Sequence, residues 1–208
     1  MKVPRCMSTQ HPDNVTLPFF AENSVIGGED EIKEAYYLFS HLNIKEQMWD
    51  YEGKEVDNFV VKKLLTKYEH FFKEKKLGKD VFITLRVPNP AIEKDEAKML
   101  CETLESIPRS FDTARKFYGE DIAPIFEVIL PMTQSADDVK KVYDYYTNFV
   151  VGKEKQNVAG TPIGKWIGEF KPNNINVIPL VENKESMLNV KEIVREYVKG
   201  KNLDYQRV

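Results

Sequence analysis

The feature that most constrains the fold of this 208-residue chain is the alternation of strand-like and helix-like patterns along it. Five short strand-like runs predict strands, at about 3–9, 45–50, 80–86, 123–130 and 175–181. Amphipathic stretches with a helical period separate these runs. Strands that alternate with helices favour a mainly parallel sheet with helices packed outside it, so the sequence predicts an α/β fold.

Two of the helical patterns have clear sequence markers. Apolar residues recur between Val56 and Phe71 with a period near 3.6, which predicts an amphipathic helix. A second apolar series starts after Ser135, and Asp138 lies three residues further on. This spacing predicts a capping box at the start of the second helix.

The remaining stretches are less regular. A helix is predicted over 190–197, with Gly200 as its C-terminal stop. The stretch 91–118 has a helical pattern that we expect Pro108 to interrupt, because proline lacks a backbone donor. The stretch 151–172 contains four glycines and two prolines, and a loop with a short helix is expected there.

Two architectures fit this alternation, a doubly wound open sheet and a (β/α)8 barrel. The sequence contains neither a GxGxxG motif nor a P-loop, which removes the commonest reasons to favour the open sheet. Polar residues cluster where the predicted strands end: His11, Asp50, Glu52, Arg86, Thr133, Gln134 and Glu182. Barrel enzymes carry their chemistry at the carboxyl ends of their strands, so the barrel is favoured and His11 stands at a catalytic position.

Composition excludes several classes of protein. Hydrophobic residues make up 42% of the chain, charged residues 30%, and the net charge is −3. Basic residues form no stripe, so no nucleic-acid partner is expected. The apolar runs are too short for a membrane span, and no signal peptide is recognisable. Two distant cysteines, Cys6 and Cys101, form neither a disulfide framework nor a zinc motif, which favours a reducing cytoplasm.

Each of the three main candidates also has a structural explanation. His11 could be a turn residue that binds local backbone, and Arg86 could be an ordinary partner in a surface ion pair. Glu182 could cap the helix that follows it, since helix starts favour acidic residues. Their shared position after strands is stronger evidence than any one of these residues alone.

Other polar residues have weaker signals. Asp50 and Glu52 are expected to be structural or solvated rather than catalytic. His41 and His70 lie in helical patterns and are expected to be partly buried or on the surface. Glu127 lies within a predicted strand, where it could face a barrel lumen or form an ion pair.

Five segments of the chain carry a family resemblance. They are MKVPRCMSTQHPDNV, MWDYEGK, FITLRVPNP, EVILPMTQSADDV and VIPLVENKESM, in this order. Together they resemble the archaeal-type phosphoenolpyruvate carboxylases, and the resemblance runs along the whole chain. It implies a metal-dependent carboxy-lyase that forms oxaloacetate and phosphate from phosphoenolpyruvate and bicarbonate, on a (β/α)8 barrel with additional helices.

The resemblance also implies roles for individual residues. His11 in STQHPDN resembles the family's catalytic histidine, and Arg86 in TLRVPNP resembles an arginine that contacts the phosphate. Glu182 in PLVENKE resembles one of two carboxylates that bind Mg²⁺ or Mn²⁺. The second carboxylate is expected beyond Val208.

Three neighbours of His11 are implied to bind substrate: Arg5, Gln10 and Asn14. The resemblance further implies a homo-oligomer, most simply a homotetramer, for the complete enzyme. Phosphoenolpyruvate and bicarbonate are the implied partners.

Members of the family are roughly twice as long, and a full barrel takes about 250 residues. We therefore expect residues 1–208 to be the N-terminal part of a single barrel domain, about its first five βα units, with YQRV as the start of strand six. Two alternatives remain open at this point. One is another metal-dependent phosphoenolpyruvate- or pyruvate-type barrel lyase, and the other is a non-catalytic part that needs a partner chain.

Overall fold

A computed structural model describes residues 3–9, 18–21, 26–51 and 57–208. It shows a mixed α/β fold with a parallel sheet of four strands. The elements in chain order are α1 (Glu29–Ser40), β1 (Glu46–Asp50), α2 (Val60–Lys67), α3 (Glu69–Glu74), β2 (Phe82–Arg86), α4 (Ala97–Tyr118), β3 (Glu127–Leu130), α5 (Ala136–Asp144), a π-helical segment (Tyr145–Val150), a 3₁₀ segment (Val151–Lys155), β4 (Asn157–Val158), β5 (Thr161–Pro162), α6 (Ile163–Trp166), β6 (Asn176–Pro179) and α7 (Lys184–Val198).

The sheet strands β1, β2, β3 and β6 confirm four of the five predicted strands. The prediction of a strand over 3–9 is wrong for most of its length, because only Ser8 pairs there. Its N–H donates to the Glu46 carbonyl at 2.8 Å, and its carbonyl accepts the Met48 N–H at 2.8 Å. Ser8 therefore lies beside β1 in parallel orientation, three residues before His11.

The chain divides into two compact units, and residues 1–85 with 110–125 form the first. Strands β1 and β2 are both buried, and Phe82 N–H donates to the Lys45 carbonyl at 2.8 Å beside β1. Thr84 Oγ1 donates to the buried Glu46 carboxylate at 2.6 Å. The predicted helix between Val56 and Phe71 is two helices, α2 and α3, because the backbone leaves helical geometry at Tyr68.

Residues 86–109 with 126–208 form the second unit. Strands β3 and β6 pair in parallel, from Glu127 opposite Asn176 to Leu130 opposite Pro179. Helix α5 begins with the predicted capping box: Ser135 Oγ accepts the Asp138 N–H, and the Asp138 carboxylate accepts the Ser135 N–H. This cap orients the helix that directly follows the end of β3.

Helix α4 differs from its prediction. It runs without interruption from Ala97 to Tyr118 with Pro108 inside it. Pro108 has no N–H to donate to the carbonyl one turn earlier, which normally breaks or kinks a helix. Here Leu104, Ile107 and Phe111 are buried on both sides of the proline, and this packing stabilises the helix despite the missing bond.

The C-terminal third agrees with its predictions in most respects. Helix α7 ends at Val198, and Gly200 follows with a φ of +76°, as expected for a C-terminal stop. The stretch 151–172 does contain a short helix, α6, but also an antiparallel β4–β5 hairpin that was not predicted. No helix in the described ranges has the length and apolar character needed to cross a membrane.

Candidate active site at the carboxyl ends of the strands

The ends of β3 and β6, together with residues 86 and 87, define one edge of the second unit. Leu180 N–H donates to the Leu130 carbonyl at 2.9 Å, which joins the ends of β6 and β3. Val87, the residue after Arg86, donates its N–H to the Ile129 carbonyl at 3.0 Å. Because parallel strands end at the same edge of a sheet, Arg86 and the residues after Leu180 lie at the carboxyl edge.

Glu182 lies two residues beyond Leu180 and is exposed. Its Oε2 accepts the Met132 N–H at 2.6 Å, which ties it to the loop after β3. Asn183, not Glu182, is the N-cap of α7, because the Asn183 side chain accepts the Ser186 N–H at 2.8 Å. The explanation of Glu182 as a helix cap is therefore wrong.

The carboxylate of Glu182 has one bound and one open oxygen. Within the described ranges, the Met132 N–H is its single hydrogen-bond partner. An anchored carboxylate on an exposed side chain suits a hard cation such as Mg²⁺, which prefers oxygen ligands. The Met132 donor is a backbone group, so no pattern of side chains in the sequence signals it.

The two polar residues after β3 have different roles. Thr133 is buried, donates its N–H to the Leu180 carbonyl at 2.9 Å and donates its hydroxyl to the Leu130 carbonyl at 2.8 Å. It is a structural turn residue. Gln134 is exposed and lines a polar cavity of about 260 Å³ beside the start of α7, with Asn183, Glu185, Ser186 and Asn189.

The remaining candidates are distributed as follows. Arg86 is the last residue of β2 and is half-buried. Arg5 is exposed, in the first unit. Asp50 is buried at the end of β1, so it is not a solvated residue. The other four, His11, Gln10, Asn14 and Glu52, lie outside the described residues.

Glu127 lies at the opposite, amino end of β3 and forms an ion pair, which confirms one of its two predicted roles. Its side chain is 1% exposed and accepts from Arg207 Nη2 at 2.6 Å. Asn176 Nδ2 donates to the other carboxylate oxygen at 3.1 Å. The two remaining histidines, His41 and His70, are exposed, as predicted for surface residues.

The described residues contain no group of three or more His, Cys, Asp and Glu side chains that could hold a metal ion. An ion that takes only a single carboxylate from this part of the chain does not need such a group, and Glu182 is an exposed carboxylate at the carboxyl edge of the sheet. Magnesium commonly binds to proteins in this way, through one or two carboxylates with water and substrate.

Comparison with known proteins gives a consistent result. The profile of the family described as phosphoenolpyruvate carboxylase matches residues 3–208. A phosphoenolpyruvate carboxylase of Methanothermobacter thermautotrophicus is 64% identical over 100% of this chain and 43% of the relative. Those of Methanospirillum hungatei and Pyrococcus abyssi are 59% and 56% identical, over 100% and 99% of this chain and 43% and 44% of the relatives. The chain thus spans less than half the length of these relatives.

Proposed function

Because the chain belongs to the phosphoenolpyruvate carboxylase family, we propose that it forms the amino-terminal part of an enzyme that makes oxaloacetate and phosphate from phosphoenolpyruvate and bicarbonate. The observation that carries this proposal within the structure is Glu182, an exposed carboxylate anchored by a backbone N–H at the carboxyl edge of a parallel sheet. This edge is where α/β enzymes bind their substrates.

We propose that residues 1–208 belong to one (β/α)8 barrel and supply about its first five βα units. The support is that β1, β2, β3 and β6 are each followed by a helix, as in a barrel. Ser8 pairs beside β1, in the place of a preceding strand. Gln206 in YQRV donates its side-chain amide to the Val177 carbonyl of β6 at 2.9 Å, which supports YQRV as the approach to strand six.

Glu182 would hold the divalent ion, Mg²⁺ or Mn²⁺, together with a second carboxylate expected beyond Val208. Such an ion, when bound, supplies a Lewis acid that stabilises negative charge developing on the substrate. Arg86 presents a planar guanidinium that matches phosphoryl oxygens, so we assign it to the phosphate of phosphoenolpyruvate.

His11 would act as the general base. In the proposed reaction, a bicarbonate oxygen attacks the phosphorus of phosphoenolpyruvate, and the bond to the enol oxygen breaks. The products of that step are carboxyphosphate and the enolate of pyruvate. His11 then takes the proton of carboxyphosphate, which releases CO₂ and phosphate, and CO₂ adds to the enolate carbon. Imidazole suits a proton transfer near neutral pH.

Arg5, Gln10 and Asn14 would line the substrate pocket around His11. The complete enzyme would be a homotetramer in the cytoplasm. Cys6 and Cys101 are both free thiols, which fits a reducing compartment.

The test compares the purified 208-residue chain alone with the same chain mixed with a polypeptide covering the rest of the Methanothermobacter relative. Oxaloacetate formation and Mn²⁺ binding are measured in both samples. We expect the chain alone to be inactive and to bind Mn²⁺ weakly, because Glu182 supplies little of the ion's octahedral shell. The mixture is expected to regain both properties.

His11→Asn in the mixture should leave phosphoenolpyruvate binding largely intact and lower carboxylation by about 10²- to 10⁴-fold. His70→Asn, at an exposed position, is the matched control and should change neither property. Arg86→Ala should weaken binding and rate together, since it removes contacts made in both the ground and transition states. Full activity of the chain alone, or unchanged carboxylation by the His11 variant, would refute the corresponding assignment.

A further inference from the structure

A buried asparagine connects the loop after β2 to the loop after β3. Asn89 is 1% exposed and lies between Pro88 and Pro90 in TLRVPNP. Its Nδ2 donates to the Pro131 carbonyl at 2.8 Å and lies 3.4 Å from the Met132 carbonyl. Its Oδ1 accepts the Ala91 N–H at 3.0 Å. Both ends of the amide are therefore used, and the donor end faces the β3 loop.

The main chain of Asn89 is fixed as well. Its N–H donates to Glu93 Oε2 at 2.6 Å, and its carbonyl accepts the Glu93 N–H at 2.7 Å. Two flanking prolines further restrict the backbone of this turn. The side-chain amide is thus presented to the β3 loop by a turn with little freedom of its own.

The loop that Asn89 contacts is the one that anchors Glu182. Met132 has a φ of +47°, a left-handed conformation that non-glycine residues rarely adopt without support. The Met132 N–H donates to Glu182 Oε2 at 2.6 Å. Asn89 therefore binds the carbonyl of the same peptide group whose N–H holds Glu182, and it lies near the carbonyl of the next peptide group.

We propose that Asn89 is a positioning residue for Glu182: it fixes the Pro131–Met132 peptide so that the Met132 N–H orients the carboxylate toward a divalent ion. The consequence for metal binding rests on the proposed function. The positioning of the Met132 N–H itself does not, and it is measurable without any metal.

The chemistry of the contact predicts which substitutions break it. Asn89→Asp has nearly the same shape but replaces the donor with an acceptor, so a carboxylate would face the carbonyl oxygens of Pro131 and Met132. Asn89→Ala leaves the Pro131 carbonyl buried without its donor. Both variants are expected to weaken the hydrogen bond from the Met132 N–H to Glu182, and Asn89→Asp is expected to weaken it more than Asn89→Ala. Asn148→Asp, at an exposed position of the same unit, adds the same charge as a control.

The experiment measures amide hydrogen exchange of Met132 by mass spectrometry at single-residue resolution, with the full 208-residue chain and no added metal. We expect exchange at Met132 to become at least tenfold faster in Asn89→Asp and Asn89→Ala, and to stay unchanged in Asn148→Asp. Exchange at Val177, whose N–H donates to Tyr197 at 3.2 Å, reports whether the unit remains folded. Unchanged exchange at Met132 in both Asn89 variants would overturn the proposal. If Val177 also exchanges faster in them, Asn89 supports the whole unit and the proposal is wrong.

A second measurement separates this inference from the proposed function. Mn²⁺ is titrated into the same variants, each mixed with the polypeptide that covers the rest of the Methanothermobacter relative, and free Mn²⁺ is read by electron paramagnetic resonance. Loss of an outer partner of a metal ligand typically weakens binding by about 10- to 100-fold, so the Asn89 variants should bind Mn²⁺ about tenfold more weakly. If Glu182→Gln leaves Mn²⁺ binding unchanged, the metal role of Glu182 fails, while faster Met132 exchange in the Asn89 variants would still support positioning.

Discussion

Two glutamates lie near opposite ends of the paired strands β3 and β6, and they differ in almost every respect. Glu127, at the amino end, is 1% exposed and is paired with Arg207 and Asn176. Glu182, beyond the carboxyl end, is exposed and accepts one backbone N–H. At the amino end, both carboxylate oxygens of Glu127 thus bind side chains within the protein. At the carboxyl end, only one carboxylate oxygen of Glu182 has a hydrogen-bond partner among the described residues.

This difference shows what separates a carboxylate that stabilises the fold from one that is still able to bind a ligand. A buried carboxylate needs compensating charge and hydrogen bonds, because removal from water is costly. Once Glu127 has them, it has no capacity for a ligand. Glu182 avoids that cost by staying in water, and its orientation comes from a neutral donor that leaves its charge available.

The largest effect on the free energy of unfolding is expected at the amino end of the paired strands, where Glu127 is buried. Glu127→Ala removes the carboxylate from an ion pair that is largely buried: the Glu127 side chain is 1% exposed and that of Arg207 is 15% exposed. We expect the free energy of unfolding to fall by about 3–5 kcal/mol. Chemical denaturation followed by circular dichroism measures this change.

The control for that prediction is an exposed ion pair on α7. Glu192 and Arg195 form an ion pair, and their side chains are 53% and 65% exposed. Glu192→Ala should change the free energy of unfolding by less than about 1 kcal/mol, since solvent screens such pairs. If Glu127→Ala and Glu192→Ala lower the free energy of unfolding equally, the ion pair at the amino end of β3 does not stabilise the fold more than an exposed pair does.

The sequence predicts the fold well where local pattern and burial agree. The strands β2, β3 and β6 lie within their predicted ranges, because each combines β-branched residues with complete burial of its apolar positions. The prediction that Pro108 interrupts its helix is wrong, since the stability of that helix comes from packing that local propensity does not contain. The same holds for Ser8, which pairs with β1 at a single position.

The site is predictable in part. The position of Glu182 after a strand predicts it as a candidate, but only the contact between Asn183 and Ser186 shows that Glu182 is not the helix cap. The Met132 donor and the Asn89 contact join residues far apart in sequence through backbone groups, which no side-chain pattern records. Catalysis by His11 stays a prediction, because His11 lies outside the described residues.

The second prediction concerns how the free energy of unfolding changes at alkaline pH because of Tyr197, near the amino end of β6. Burial raises the pKa of Tyr197 to about 12, and its hydroxyl accepts the Val177 N–H of β6. The unfolded chain loses this proton near pH 10, so the native state binds more protons between pH 10 and 12. Stability is therefore fully present below pH 10 and falls by about 2 kcal/mol as pH rises through 12.

Unfolding free energies of wild type and Tyr197→Phe from pH 8 to 12 measure this contribution. The variant should be less stable at pH 8, by about 1 kcal/mol, because the Val177 N–H loses its acceptor. It should also lose less stability above pH 10 than the wild type does. Parallel curves above pH 10 would show that Tyr197 ionises as readily in the folded chain as in the unfolded one.

A smaller effect is expected in the loop after β3. Ser135→Ala removes the capping box of α5, in which the hydroxyl accepts the Asp138 N–H. We expect the free energy of unfolding to fall by about 1 kcal/mol, as for other N-cap serines. Ser135→Thr retains the hydroxyl and should stay close to wild type. A loss above about 3 kcal/mol for Ser135→Ala would exceed the range of N-cap effects. It would show that the carboxyl end of the strands, and not the amino end, carries the stronger stabilising contact.

The smallest effect on stability, and the sharpest test of the comparison, comes from Glu182→Gln beside Glu127→Gln. At position 182 the amide oxygen can still accept the Met132 N–H, and the side chain is exposed. The free energy of unfolding should therefore change by less than about 0.5 kcal/mol, while Mn²⁺ binding is lost. At position 127 the same substitution removes the negative charge that faces the half-buried guanidinium of Arg207, so stability should fall and Mn²⁺ binding should change little in the chain that remains folded. Denaturation and Mn²⁺ titration of both variants give the full pattern. If Glu182→Gln destabilises the chain as much as Glu127→Gln, then Glu182 is a structural residue like Glu127, and its assignment to a metal ion fails.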